Sequence, residues 1–165
     1  MVTAAVKNRS TQRMSLVSIC GGGGKTTICN KHPTLFIDID TFVWSNVNKG
    51  FHKRLEDAVQ HANIAAISTT YGAILTHNRD KMNTSKIILA HHPINAEWLN
   101  INHVCSMKPN RQLHENNIQN RSFASKVIAR NCWENLKDAI VYNSHEELEQ
   151  LLLSIVESGS YPTGK

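Results

Sequence analysis

Apolar positions cluster into five short runs separated by stretches of helical period. Leu16 to Cys20, Thr34 to Ile39, Lys86 to Ala90, Asn102 to Met107 and Ala139 to Tyr142 are rich in Ile or Val and predict strands. Thr26 to Lys31 predicts a short helix that Pro33 stops, because proline has no amide to continue the ladder. His52 to Ala62 and Ile64 to Asn78 predict further helices. Asn110 to Leu136 is a long, arginine-studded stretch, amphipathic in parts, and His145 to Val156 sets Leu148, Leu151, Leu152 and Ile155 at helical spacing. Ser144 is placed to cap that last helix, with Glu147 completing a capping box. Strands alternating with helices imply a parallel sheet covered on both faces, so the expected fold is α/β in three layers. One domain over 14–157 is expected, between a flexible leader (1–13) and a flexible tail (158–165).

The first strand runs directly into Gly21-Gly22-Gly23-Gly24-Lys25-Thr26-Thr27. Glycine reaches positive φ without a Cβ in the way, so successive amides of such a loop can turn toward phosphate oxygens. Lys25 is then placed to reach the β and γ phosphates of a nucleotide, and the Thr26 hydroxyl to take Mg²⁺. The full pattern, G-x-x-x-x-G-K-[ST], puts its first glycine at position 19, where this chain has Ile19. That departure reads either as a shifted loop entrance with Gly21 in the tight turn, or as a cradle that does not close. A bare glycine run would be a strand-to-helix turn; GKTT directly after a β-like segment favours phosphate.

At 165 residues, 41% apolar and 19% charged, the chain has the size and composition of one globular domain and not of a disordered segment. A formal charge of +5 and a pI near 9.1 favour acidic partners such as nucleotides, phosphorylated metabolites or RNA. No apolar stretch approaches the roughly 18–20 residues that span a bilayer. The polar start, Met1 to Arg13, has no signal core, so no membrane partner and a cytoplasmic location are expected. Cys20, Cys29, Cys105 and Cys132 lack disulfide-framework spacing, and Cys20 and Cys105 lie in apolar runs that predict core positions.

Leu35-Phe36-Ile37-Asp38-Ile39-Asp40 closes the second run, and strand alternation would put both carboxylates on one side of the strand's exit. Acids beside a phosphate cradle suit a metal shell and a base that orients an acceptor hydroxyl. Capping the turn or helix that follows is their competing role.

Gly21 to Thr27 followed by Phe36-Ile37-Asp38-Ile39-Asp40 resembles the P-loop kinases of the shikimate, gluconate, nucleoside monophosphate and polynucleotide kinase group. The resemblance implies a P-loop NTPase fold of the kinase type, a five-stranded parallel sheet in the order 2-3-1-4-5, and ATP with Mg²⁺ as cofactors. It implies Gly21, Gly22, Gly23, Gly24, Lys25, Thr26 and Thr27 around the phosphates. It also implies Thr26 and Asp38 at the metal, with Lys25, Asp40 and Arg121 in catalysis, although Asp38 and Asp40 can exchange roles at this point. The group closes an arginine-bearing lid from the helical region after the fourth strand. Here Val104 to Pro109 leads into Arg111, Arg121, Lys126 and Arg130, which implies a lid over about 109–134 with Arg121 first and Arg130 second on the phosphates. Arginine's planar fork suits phosphate oxygens, and a solvated helix face is the competing reading.

The expected activity is ATP-dependent phosphotransfer to a nucleotide, a nucleoside or a nucleic-acid 5′ end. A nucleotide- or RNA-binding protein that keeps the fold without the reaction, as part of a larger assembly, is the alternative that Ile19, a short lid and the basic pI favour. A GTPase or motor ATPase is disfavoured, since Ile87-Ile88-Leu89-Ala90 ends in His91 instead of an acid. His91-His92-Pro93 opens onto the same sheet edge and has substrate contact within reach, while direct phosphoryl transfer requires no histidine relay. Cys29-x-x-His32 is half a ligand set with no second pair, so no zinc is expected. Trp98 and Trp133 are expected in packing; Phe42 and Trp44, just after Asp40, are expected in packing too, with stacking on a base or walling an acceptor pocket as their competing role. Lys49, His52, Lys53 and Arg54 read equally as a steering patch or a wet helix start.

Overall fold

The computed structural model describes residues 14–82 and 85–158; the expected leader over 1–13 and the tail beyond Ser158 lie outside them. The elements are β1 (Ser15–Ile19), α1 (Lys25–Lys31), β2 (Phe36–Asp38), α2 (Ile39–Asn46), α3 (Lys49–Gln60), α4 (Ile64–His77), a 3₁₀ turn (Arg79–Lys81), β3 (Ile87–Ala90), α5 (Ile94–Leu99), β4 (Asn102–Pro109), α6 (Arg111–Ile118), α7 (Phe123–Asn135), β5 (Ile140–Tyr142) and α8 (His145–Ser158). The five strands are parallel and run β2-β3-β1-β4-β5, the α/β order expected from the sequence. β1 lies at the centre, with Leu16 opposite Ile88 of β3 on one side and His103 of β4 on the other.

Every residue of β1 is buried, which is why the strand reads as a continuous apolar run. Alternation divides that run between two cores. Leu16 joins Ile88 and Ala90 of β3, Val43 of α2, Leu55 of α3 and Ile74 of α4 on one face. Val17 and Ile19 join Ile87 and Leu89 of β3, Ile28 of α1, and Leu148 and Leu152 of α8 on the other. Three layers result, with the carboxyl ends of β1, β2 and β3 on one edge.

Caps explain where the elements depart from the expectation. β2 stops at Asp38 because its Oδ1 accepts the amide of Asp40 at 3.0 Å and starts α2, so Asp40 lies in a helix and not at a strand exit. The stretch 110–136 is not one helix. Asn110 accepts from the Leu113 amide at 2.8 Å and Ser122 from the Ser125 amide at 3.2 Å, which starts α6 and α7 separately. α5 is too short for periodicity to reveal. Ser144 caps α8 as expected, accepting from the Glu147 amide at 3.1 Å.

Two glycines test this packing with opposite signs. A Cβ on Gly50, in the first turn of α3, meets nothing nearer than Asn48 Oδ1 at 3.6 Å. A Cβ on Gly23 would stand 2.4 Å from Ile19 Cγ2 and 2.8 Å from the Cys20 carbonyl oxygen. Gly50→Ala is expected to stabilise by about 0.5–1 kcal/mol, by restricting the unfolded chain. Gly23→Ala is expected to cost roughly 1–3 kcal/mol through overpacking. Urea midpoints check both, and shifts of the same sign would contradict this account.

Candidate functional site

The loop after β1 is shaped by its own turn and by donors from distant elements. The Gly23 amide donates to the Cys20 carbonyl at 3.0 Å, so the tight turn opens at Cys20, and Ile19 belongs to the strand and the core. The backbone thus takes the shifted-entrance course. Gly22 and Gly24 carry φ of 81° and 105°, a region that side-chain-bearing residues avoid. His114 Nε2 of α6 donates to the Gly21 carbonyl and Asn117 Nδ2 to that of Gly22, each at 2.8 Å, and Tyr142 Oη of β5 donates to that of Gly23. A trans peptide sets its C=O and the next N–H on opposite sides, so these bonds turn the Gly22 and Gly24 amides away from α6 and β5. Burial lowers the pKa of His114, which keeps its ring a neutral donor. Lys25, buried at the start of α1, arcs back along the loop and donates to the carbonyls of Ile19 at 2.9 Å and Cys20 at 3.2 Å.

The acids divide between two partners. Thr26 Oγ1 donates to Asp38 Oδ2 at 2.9 Å, so Asp38 both caps α2 and meets the loop helix. Asp40 Oδ1 instead holds His91 Nε2 at 2.7 Å and accepts from Tyr71 Oη of α4. Burial opposes the charge on both members of this pair, but the pairing outweighs it. The Asp40 carboxyl is held well below the usual carboxylate range by the His91 charge and hydrogen bond, and the Asp40 charge raises His91 from 6.5 to about 9. Adjacent strand ends place the two, since β2 and β3 are neighbours and each residue follows its strand. That adjacency was the available signal for His91, which motif reasoning alone left outside the catalytic set.

A cavity of about 1010 Å³ brings these groups together. Gly21, Gly22, Gly24, Lys25, Thr26 and Thr27 of the loop line it together with Asp40, His91 and Arg121 of the α6–α7 turn. Arg121 Nη1 approaches to within 3.9 Å of where a Cβ on Gly21 would lie. Gly23 supports the loop from beneath and Asp38 acts through Thr26; neither lines the cavity. Arg130 is not brought there either: its guanidinium takes both oxygens of Glu115, at 2.7 and 3.0 Å, on an exposed face. Arg111 is also engaged, stacked 4.5 Å from the Trp133 ring.

Apolar lining comes from Ile64, Ile67, Trp44 and Trp98. Phe42 packs in the core as expected, whereas Trp44 is 39% exposed and faces the cavity, and Trp98 both packs on Gly72 and lines it. Trp133 serves packing, its Nε1 donating to the Pro109 carbonyl at 2.7 Å. Lys53 pairs along α3 with Asp57 at 4.0 Å, and Lys49, His52, Lys53 and Arg54 all lie outside the cavity lining. His32 pairs with Glu149 at 2.6 Å, and no group of three or more potential metal-ligating acids, histidines and cysteines occurs among the described residues. Cys20 is buried and Cys105 half-buried. No helix among the described residues is long and apolar enough to cross a membrane.

No family model and no curated protein matches the chain. Among solved structures, an unliganded sugar kinase from Janibacter sp. is similar at 14% identity and a TM-score of 0.44, over 88% of this chain and 94% of that one.

The Asp40–His91 pair fixes a pH dependence. A raised His91 contributes stability that is whole below its ordinary 6.5 and is lost as pH climbs through about 9. A lowered Asp40 contributes stability that is whole above its ordinary 3.8 and is lost as pH falls through its folded value. The contribution is therefore complete between 3.8 and 6.5. The stability difference between wild type and Asp40→Asn, read from urea midpoints, is expected to shrink steadily from about pH 6 to about pH 10. In Asp40→Asn the His91 ring proton signal should titrate well below its wild-type midpoint, since the Asp40 charge and hydrogen bond no longer raise it; an unchanged midpoint would refute the pairing.

Proposed function

We propose that the chain is an ATP-dependent phosphotransferase acting on a nucleotide, a nucleoside or a nucleic-acid 5′ end, on a P-loop kinase fold. The observation that carries this reading is the convergence of the glycine loop, Lys25, Asp40 and Arg121 on one cavity. Thr26 lines the cavity with a hydroxyl that would suit Mg²⁺, and Asp38, buried behind it, holds that hydroxyl at 2.9 Å. Bound Mg-ATP would supply the transferable γ-phosphoryl group and much of the charge neutralisation.

The chain's own residues then have separable tasks. An ammonium has three donors, and Lys25 spends two on loop carbonyls, which leaves one for a phosphate oxygen. Thr27 lines the cavity with it, and Arg121 offers a planar fork beside Gly21. On Asp40, both His91 and Tyr71 take Oδ1. Oδ2 therefore stays available to an acceptor hydroxyl, on a side chain 39% exposed. Because His91 keeps that carboxylate ionised, Asp40 can orient the hydroxyl across the working pH range. Trp44 and Trp98 supply flat apolar surface on which an acceptor base can lie. Free cysteines accord with a reducing, cytoplasmic compartment.

A second reading, a nucleotide- or RNA-binding protein without turnover inside a larger assembly, is favoured by the engagement of Arg130 with Glu115 and of Arg111 with Trp133. Arg121 is then the single guanidinium lining the cavity among the described residues.

ADP release from Mg-ATP, screened against nucleosides, nucleoside monophosphates and a 5′-hydroxyl RNA, separates the two. Acceptor-dependent release is expected, with Lys25→Ala lowering kcat by about 10²–10³-fold or more, the scale of removing one transition-state donor. Asp40→Asn is expected to lower kcat while leaving KM for ATP within a few-fold. Full activity in Lys25→Ala would sink the proposal; ATP binding without release for any acceptor would favour the second reading.

A further inference from the structure

Lys25 and Arg121, both beside the glycine loop, are the lysine and the arginine of the cavity lining among the described residues. What α2, α3, α4 and α5 contribute, besides Asp40, is apolar or neutral. Ile64, Ile67, Ser68 and Tyr71 fall at i, i+3, i+4 and i+7 of α4, so they form one stripe, and Tyr71 at its end donates to Asp40. Trp98 of α5 packs on Gly72, next to Tyr71, and Trp44 of α2 lines the same space. His92 borders it as well, and partial burial lowers its pKa, which keeps the ring neutral.

Asn95, in the first turn of α5, is 4% exposed and lines this cavity. Its Oδ1 accepts the His92 amide at 3.0 Å, which fixes the way the side-chain amide faces, because an N–H group there could only donate. Its Nδ2 has no hydrogen-bond partner among the described residues. Ser15 Oγ is the one fully enclosed side-chain polar atom left unpaired among those residues, so Asn95 Nδ2 is not sealed in; it meets open space at the cavity. Two N–H groups on a buried amide with nothing to receive them call for an acceptor on whatever binds there. The His91–His92 peptide joins this donor to Asp40, since the His91 ring holds the carboxylate at 2.7 Å and the His92 amide holds Asn95.

We propose that the acceptor is an uncharged nucleoside, and that Asn95 determines its recognition by donating from Nδ2 to an oxygen or nitrogen on the edge of the base. Trp44 and Trp98 then carry the flat ring, and the 5′-hydroxyl reaches Asp40. The hydroxyl oxygen bonds to the γ phosphorus of ATP, the bond from that phosphorus to its bridging oxygen breaks, ADP departs, and the hydroxyl proton passes to Asp40 and on to water. A monophosphate acceptor would bring about two more negative charges. No lysine or arginine of the described lining remains for them once Lys25 and Arg121 serve ATP. That exclusion rests on the phosphotransferase reading; the base contact at Asn95 does not. An RNA strand would have to leave the cavity through its 3′-phosphates. Lys49, Lys53 and Arg54 of α3 lie outside the lining, and Glu56 and Asp57 break up their charge, with Asp57 4.0 Å from Lys53, so such a strand meets no continuous positive track.

The test compares wild type with Asn95→Asp, which keeps the oxygen that takes the His92 amide and removes both N–H donors. Equilibrium dialysis with radiolabelled adenosine, guanosine, cytidine and uridine should find at least one bound, and Asn95→Asp should weaken its binding by about tenfold or more. Ribosylbenzene keeps a flat ring and the 5′-hydroxyl but offers no acceptor on the ring edge, and wild type should bind it about tenfold or more weakly than that nucleoside. If Asn95→Asp does not fold, as judged by its urea midpoint, the ribosylbenzene comparison decides alone. Failure of every nucleoside to bind, equal binding by the variant, or equal binding of ribosylbenzene would overturn the proposal. With Mg-ATP, kcat/KM from ADP release should be at least about tenfold higher for the nucleoside than for its 5′-monophosphate or a 5′-hydroxyl RNA. Asn95→Asp should raise KM for the nucleoside while leaving KM for ATP within a few-fold. A preference for the monophosphate or the RNA would overturn the choice of acceptor. If a nucleoside binds through Asn95 and no acceptor releases ADP, the phosphotransferase reading fails while the base site stands.

Discussion

A loop that leaves the centre of a buried sheet has backbone groups with neither ladder nor helix to satisfy them, and the rest of this structure is arranged around that constraint. The carbonyls of Gly21, Gly22 and Gly23 are met by His114, Asn117 and Tyr142, from α6 and β5. Lys25, at the start of α1, meets those of Ile19 at the end of β1 and of Cys20. With its carbonyls committed outward, the loop holds one conformation, and the positive φ angles of Gly22 and Gly24 are its conformational requirement. Anchoring from α6 also ties the arginine-bearing region to the loop, so that the Arg121 guanidinium stands beside Gly21.

Charges in the cavity are ordered by this scaffold. Lys25 and Arg121 present cations near the loop, and the Asp40–His91 pair lines the same cavity. Asp38 is set apart by its bonds to Thr26 and the Asp40 amide, so two acids spaced two residues apart have different surroundings. One shares an oxygen pair with a hydroxyl; the other is a carboxylate clamped by an imidazole. The helix start at Ile39 makes the difference, because it turns Asp40 toward α4 and the end of β3 while Asp38 remains with α1.

Much of the fold was legible because the strands are short Ile- and Val-rich runs, through burial on both faces in β1 and β3 and through β propensity at the edge, where Ile140 and Val141 of β5 are exposed, and all five strands lie where those runs fall. Side-chain caps were harder to read. Asp38 and Ser122 each end one pattern and begin another, and a hydrophobic period carries no mark of where a side-chain oxygen takes an amide. At the site, the glycines and Lys25 were legible from local spacing, whereas His91 and Asn95 join through tertiary placement that spacing does not encode. Arg130 shows the reverse case: a residue with suitable chemistry whose helix face presents it to Glu115 instead of the cavity. Trp44 offered packing first and a pocket wall second, from its place just after Asp40, while Trp98 read as a core aromatic; the position of both at the cavity depends on the packing of α2 and α5, which composition does not reveal.

The bond from Tyr142 to Gly23 spans 119 residues, and His114 reaches Gly21 across 93. Contacts of such separation demand that most of the chain be present and collapsed before they can form, which slows folding relative to local structure. During synthesis the glycines emerge first and their anchoring donors last, so a nascent chain stopped short of Tyr142 carries the loop sequence without the partners that give it shape. The ordering of the loop is in this sense a property of the completed sheet, acquired only when the edge strand β5 docks beside β4.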